Sequence, residues 1–498
     1  MARMASKLIV LWFAVLAVAV GISCETNRDG IVTLEPGQDL QGIVASSPAG
    51  TRFHLSPGIY RLQTIYPRHR QEFIGQDGVI LSGAMELETW QKEDGFWVAE
   101  GLPPPLGSHG NCKEGRELCA FPEDLFIDDQ VYERVGSLGE LGPRTWFYED
   151  GRAYLADDPR GRLVELGVTP LAFGGTASDV VLRNLTVEKY ASKAQRGAID
   201  LRDARGWVLA NVTARWNHGV ALYVGSATHV QGGSFSHNGQ LGMGGGGEGA
   251  TIDGAEIAFN NYAGFRQGWE AGGTKFSRAK ALVVRNTCVH HNEGPGLWTD
   301  IDNIDVLYEG NTVFSNANDG IKHEISYDAI IRNNVAADNG WEHYEWLWGS
   351  QILVQNSRNV EVYENTVEVP SEFGNGISVV HQDRGDASDG KYGAWDAVNN
   401  NVHHNTIVYL NSRGQSGVAR DADEDWFWQT SDNKFDWNTY VVADEEIEHW
   451  EFDDRSKSWD GVGELGYERN GKVIIERRRP MQLSCDRELP ASNPAGGA

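Results

Sequence analysis

Positive charge is scarce in this sequence. Its 498 residues carry 43 lysines and arginines against 70 acidic side chains, a formal net charge of −27. A field of that sign opposes binding to nucleic acid or to an anionic lipid surface, although a local basic pocket for an acidic sugar is compatible with it. Proline is also sparse, 16 residues against 59 glycines. That ratio fits many tight turns and not a disordered linker. Beyond the first 20 residues no apolar run is long enough to resemble a membrane span. Helical periodicity of any length is missing, and so is the regular leucine frame of a leucine-rich repeat. The five cysteines match no zinc-ligand spacing.

One apolar run does exist, at the start. Arg3 and Lys7 precede Leu8 to Val20, and small residues follow at Gly21 and Ser23. This is the pattern of a signal peptide over residues 1–23. A cleavage point just before Cys24 suggests a bacterial lipoprotein, in which the thiol of that cysteine is acylated, although Gly21 stands where leucine is usual. The expected location is exported: periplasmic, extracellular or lipid-anchored to the cell envelope through Cys24. Export permits disulfides. Cys112 and Cys119 can bridge within one loop-like stretch. Cys288, in "ALVVRNTCVHHN", reads as a buried thiol, and Cys485 has no evident partner.

Internal repeats dominate the middle of the chain. Asparagines end short alternating segments at Asn217, Asn238, Asn260, Asn292, Asn316 and Asn339, in steps of 21, 22, 32, 24 and 23 residues. A glycine follows each within a few residues. Runs such as "RNLTV", "RNTCV", "GNTVF" and "HNTIV" sit between them. This period, with brief Val/Ile/Thr-rich runs and Asn/Gly turns, fits one rung of a parallel β-helix. Alternate side chains of such rungs stack in a central cylinder, and equivalent asparagines can form hydrogen-bonded ladders. The 32-residue step carries an insertion, "QGWEAGGTKFSRAKA", residues 267–281, expected to leave the rung and decorate one face. The glycine run "GMGGGGEG", residues 242–249, lacks the strand–loop–helix context of a phosphate loop and reads as flexible turn.

The reading divides the chain as follows. Residues 30–82 form an N-terminal cap with a helix and first rungs. Residues 83–165 break the period and read as a small inserted antiparallel β-sandwich. Residues 166–430 form the main parallel β-helix. Residues 431–498 form irregular final rungs and a cap, needed because an open solenoid end exposes strand edges.

Two stretches carry the chemistry: "GPGLWTDIDN", residues 294–303, and "DGIKHEISYD", residues 319–328. Gly296 precedes Asp300 by four positions, and Gly320 precedes Glu324 by four. If Leu297 and Ile321 face inward, then Trp298, Asp300 and Asp302 face outward on one rung, and Lys322 and Glu324 on the next. His323 then points inward, as a buried, hydrogen-bonded residue. Adjacent strands lie about 4.8 Å apart, so the two carboxyls should fall within roughly 5–6 Å. Retaining glycosidases use carboxyls about 5–5.5 Å apart and inverting ones about 6.5–9.5 Å, so the arithmetic favours retention. Like charges facing each other across a ladder are destabilising, which singles this pair out from an ordinary solvated face. Lys322 or Arg266 could hold one carboxylate ionised. Trp269 and Trp298, with Trp341, are candidate platforms for sugar rings. Glu270 and Lys275 sit on the insertion, whose paired glycines permit a loop over the cleft.

"GLWTDI" followed by "HEISYDAIIRNNV" resembles the active-site strands of the β-helix glycoside hydrolases of the β-xylosidase type. The match covers about 45 residues, 294–339. The resemblance implies a right-handed single-stranded parallel β-helix, pectin-lyase-like, with a β-sandwich inserted in it. It also implies Asp300 as nucleophile and Glu324 as acid/base. Ile301, where that family tends to have an aromatic, and His323 depart from its pattern, so sugar specificity does not transfer. The expectation is an exported glycosidase acting on a poly- or oligosaccharide, with no cofactor and no metal. The rival on the same fold is a polysaccharide lyase or uronate epimerase. There Lys275, Lys322 or Arg266 would neutralise a uronate and abstract its proton, acids would hold Ca²⁺, and the groove would be basic. A non-catalytic glycan-binding solenoid is the third reading.

Overall fold

The computed structural model describes residues 31–384, 389–421, 426–444 and 446–485; the expected signal peptide and Cys24 lie outside the described residues. Strands of three to nine residues wind into parallel stacks. One sheet of 24 strands supplies two faces of a cylinder, and a second sheet of 11 strands supplies the third. Register is kept rung after rung. Val230, Ile252, Val284, Tyr308, Ile331, Val362, Val402 and Phe435 pair successively and all point into the core. On the third face Leu297, Ile321, Ile352 and Ile377 do the same. Each such aliphatic side chain contributes about 1.5–3 kcal/mol on burial.

The corners explain the periodic asparagines. Asn217, Asn238, Asn260, Asn292, Asn316 and Asn339 form one amide ladder. Each side-chain nitrogen donates to the next Oδ1 over 2.8–3.1 Å, and Gln351 closes the row. The same nitrogens reach carbonyls of neighbouring strands, as from Asn260 to Phe235. The residue before each asparagine makes the corner: Trp216, His237, Phe259, His291, Ser315 and Asp338 all lie at φ between 52° and 57°. Left-handed backbone is costly for such side chains, and the buried amide row behind each corner holds it in place. A second ladder runs Asn311, Asn334, Asn365, Asn405, Asn438 and ends on Glu468.

Several sequence expectations need correction. The glycine run is not a turn but most of a strand, Leu241–Glu248, in the third face. A Cβ on Gly245 would stand 2.5 Å from the Val224 carbonyl oxygen, and one on Gly246 2.2 Å from that of Ser277. Close approach of neighbouring backbones, not flexibility, requires glycine there. The insertion leaves the rung only at a short helix, Gln267–Glu270; Gly272–Lys280 returns as a strand of the same face. Beyond residue 430 the rungs stay regular, with Thr406 in register with Thr439 and Thr439 with Lys472. A helix, Trp459–Glu464, lies near the end, with Trp459 against Tyr440 and Trp450.

Residues 84–167 form a separate eight-stranded sheet with its own hydrophobic cluster around Trp146, Leu125 and Leu155. Its pairings are antiparallel except that Gln130–Val135 runs parallel to Thr145–Glu149. A buried ion-pair cluster ties it to the cylinder: Glu165 meets Arg61 at 2.6 Å and also Lys189, which reaches Asp129 at 2.5 Å.

Cys112 and Cys119 form a disulfide. Cys288 is not a free thiol: it is bonded to Cys485. After the last strand, Lys472–Ile475, the chain turns back along the corners as a strap. Met481 donates its backbone N–H to Glu368 on the way to Cys288. Phe314, Leu410, Met481 and Leu483 line a cleft of about 830 Å³ beneath it.

Candidate active site

The third face carries the predicted carboxylates. In the strands Leu297–Asp300 and Ile321–Glu324, Leu297 pairs with Ile321, Trp298 with Lys322, Thr299 with His323 and Asp300 with Glu324. Asp300 and Glu324 are therefore neighbours across one ladder step, about 4.8 Å between strands. They are only 6% and 8% exposed.

Three cations surround them. Lys275 Nζ lies 2.8 Å from Asp300 Oδ2, 3.9 Å from Glu270 and 4.3 Å from the centre of the Trp298 ring. Its nitrogen also donates to the carbonyl of Trp269 at 3.1 Å. Lys322 Nζ lies 3.0 Å from Glu324 Oε2, and Arg384 Nη2 caps Glu324 Oε1. Trp298 Nε1 donates to Glu324 Oε2 at 3.1 Å. Glu324 is thus saturated with donors, while Asp300 has one.

This asymmetry sets the proton affinities. Burial opposes ionisation of both groups. For Asp300, burial and the neighbouring Glu324 charge outweigh Lys275, and its pKa is raised. For Glu324, Lys322 and Arg384 overcome burial and hold the pKa down at about 2. Lys322 stays protonated: burial works against its charge, but Glu324 and Asp319 raise its pKa. The pattern runs opposite to the role split that the resemblance implies, in which Asp300 is the ionised partner.

The other predicted residues fall into two groups. Trp298, Lys275, Lys322 and Glu270 are brought together around the pair. Trp269 contributes through its backbone, while its ring packs on Phe265 and His109. Arg266 does not join them: it is exposed and makes no ion pair among the described residues. Trp341 is exposed on a loop. Asp302, past a corner at Ile301 with φ of 65°, turns to accept from Lys391 N, Trp395 Nε1 and Tyr327 Oη. It anchors the segment beyond Arg384. His323 is fully buried beside Thr299 Oγ1 at 2.8 Å, and burial lowers its pKa to about 4.

Sequence reading missed Arg384 and Gln355. Gln355 pairs in register with Glu324, but an extra loop around residues 340–349 stretches that rung and hides the spacing. Arg384 lies 60 residues from its partner, on a segment without repeat signal. Gln195 and Gln240 also escaped notice. Gln195 donates its side-chain amide to Glu270 Oε2 and its backbone N–H to Gln240 Oε1, forming a wall beside Lys275.

Residues 197–367 match the family model for a right-handed β-helix region. A solved structure described as the complex of XylC with xylose aligns at a TM-score of 0.59 and 11% identity, over 80% of this chain and 82% of that one. The A-module of the Azotobacter vinelandii mannuronan C-5 epimerase AlgE4 aligns at 0.48 and 10% identity, over 88% and 91%. At these identities the likeness is one of fold. The chain is a right-handed parallel β-helix. No curated protein matches it.

Proposed function

We propose that this chain is a glycoside hydrolase working by retention, with Asp300 and Glu324 as the reacting groups. The observation that carries this reading is their pairing on adjacent strands with opposite shifts in proton affinity. Two close carboxyls of unequal acidity are what a retaining mechanism needs. Glu324, ionised, attacks the anomeric carbon. Asp300, protonated, gives its proton to the departing glycosidic oxygen, and Lys275 at 2.8 Å stabilises the carboxylate that results. Asp300 then takes a proton from water as that water attacks the anomeric carbon, and Glu324 is released.

The lyase or epimerase reading with Lys322 as base needs that lysine deprotonated near the sugar ring. Lys322 is held protonated by Glu324 and Asp319, which disfavours it in that role. Proton NMR of the first-formed sugar tests retention: the anomer of the substrate is expected, and the opposite anomer excludes this mechanism. An activated fluoro-glycoside should label Glu324. A label on Asp300 would reverse the role split, and a product with a new double bond would replace the hydrolase by a lyase.

A further inference from the structure

The outward row of the third face continues well beyond the carboxylates. Asp200, Tyr223, Gly244 and Lys275 pair in succession, and the Phe276–Thr299 pairing sets Trp298 next, then Lys322. Four strand steps separate the strand of Asp200 from that of Asp300, about 19 Å at roughly 4.8 Å per step. Gly244 is buried and puts no side chain on this row between Tyr223 and Lys275. The wall of Gln195, Gln240 and Glu270 flanks it.

At the far end is a cleft of about 420 Å³, with Leu106, Pro170 and Leu171 on one side and Lys193, Arg196 and Arg202 among its lining. Arg202 is engaged by Asp200 at 2.7 Å and lies 4.1 Å from the centre of the Tyr223 ring. Lys193 and Arg196 make no ion pair among the described residues, and Asp203 is the remaining acid of the lining. Two uncommitted cations against one exposed acid is a local reversal of charge in a chain of net −27. Cations left unpaired in a concave, partly apolar site favour an anionic ligand.

We infer that this cleft is a distal subsite for an anionic sugar unit, carboxylated or sulfated, of a glycan that runs along this row to the proposed catalytic pair. Lys193 and Arg196 contact the anionic group, and the Leu106–Leu171 side packs on the sugar ring. The inference rests on the hydrolase reading for the far end of the chain of sugars, but its test does not need turnover.

The experiment is calorimetric titration of the full chain carrying Asp300→Asn, with and without Lys193→Glu and Arg196→Glu together. The probes are galacturonic acid oligomers, their methyl esters and sulfated galactose oligomers. Acidic oligomers should bind at least about tenfold more tightly than the esters, and the double change should cost about tenfold, as for loss of a charge-assisted contact. The tighter of the carboxylated and sulfated probes names the anion. Esters binding as well as acids, a double change that leaves affinity within twofold, or no binding of any acidic probe would overturn the inference. In an otherwise native chain, hydrolysis of short neutral aryl glycosides should survive Lys193→Glu and Arg196→Glu unchanged. Such hydrolysis without acidic-oligomer binding sinks the subsite alone; charge-dependent binding without bond cleavage sinks the hydrolase alone.

Discussion

Two of the polar networks buried in this cylinder are built on opposite terms. In the first asparagine ladder each amide meets another amide one rung away, uncharged, with donors and acceptors matched. In the carboxylate cluster, acids and cations are packed together with their demands unequally met: Glu324 has three donors and Asp300 one, and among the described residues Gln355 Oε1 and His323 Nε2 find no partner. Fully matched buried polar groups stabilise and specify a fold; unequally matched ones perturb proton affinity and mark sites of chemistry. The difference teaches that the repeat of identical amides serves structure here, whereas the unequal cluster is the candidate for chemistry.

The contrast can be broken most severely at the carboxylates. Asp300→Asn and Glu324→Gln should each lower kcat on an aryl glycoside by about a thousandfold, within the range for loss of acid–base or nucleophilic groups, with the fold intact by circular dichroism. Full activity in either would end the assignment. The ladder should respond in the other currency, stability. Asn316→Ala strands two donors of Asn292 and the Val289 carbonyl, and should cost about 2–4 kcal/mol in urea unfolding. Asn217→Ala, at the ladder's end, should cost about half as much.

pH sharpens the comparison further. Glu324 is depressed, so it contributes stability above its ordinary value of 4.5, lost as pH falls toward about 2. Asp300 is raised, so its contribution is full below its ordinary value of 3.8 and is lost as pH rises through its shifted value. Glu324→Gln should therefore be less stable than wild type at neutral pH, the gap closing toward pH 2. Asp300→Asn should be more stable at neutral pH, the gain vanishing in acid. Parallel unfolding curves for both variants across this range would refute the split. The smallest effect is expected from Trp298→Phe, which removes one of three donors to Glu324. It should cost about 1 kcal/mol of transition-state stabilisation, somewhat less than tenfold in kcat, with the acid limb of the rate profile moved up.

Much of this was legible in the sequence because stacking converts spacing into adjacency. The steps between asparagines became the ladder, and the matched offsets of Asp300 and Glu324 became a register pair. What escaped did so where that conversion fails. Arg384 comes from a segment without a rung period, and Gln355 lies after a stretched rung. The glycines of Leu241–Glu248 mimic a loop because backbone proximity leaves the same composition as flexibility. Cys485 reaches Cys288 by a strap that runs against the direction of winding, which no local pattern announces. The charge split between Asp300 and Glu324 depends on which donors crowd each carboxyl, a matter of three dimensions.

The bond between Cys288 and Cys485 also has a topological meaning. It joins residues 197 apart, and Asp300, Glu324, Gln355 and Arg384 all fall within the ring of chain it closes. A protease cutting once at the exposed loop near Trp341 would sever the backbone between Glu324 and Arg384 without releasing a fragment. The nicked protein would migrate as one band until a reductant was added, then as two. The ring can close only once residue 485 is available, so this part of the cylinder is sealed from beyond its last strand.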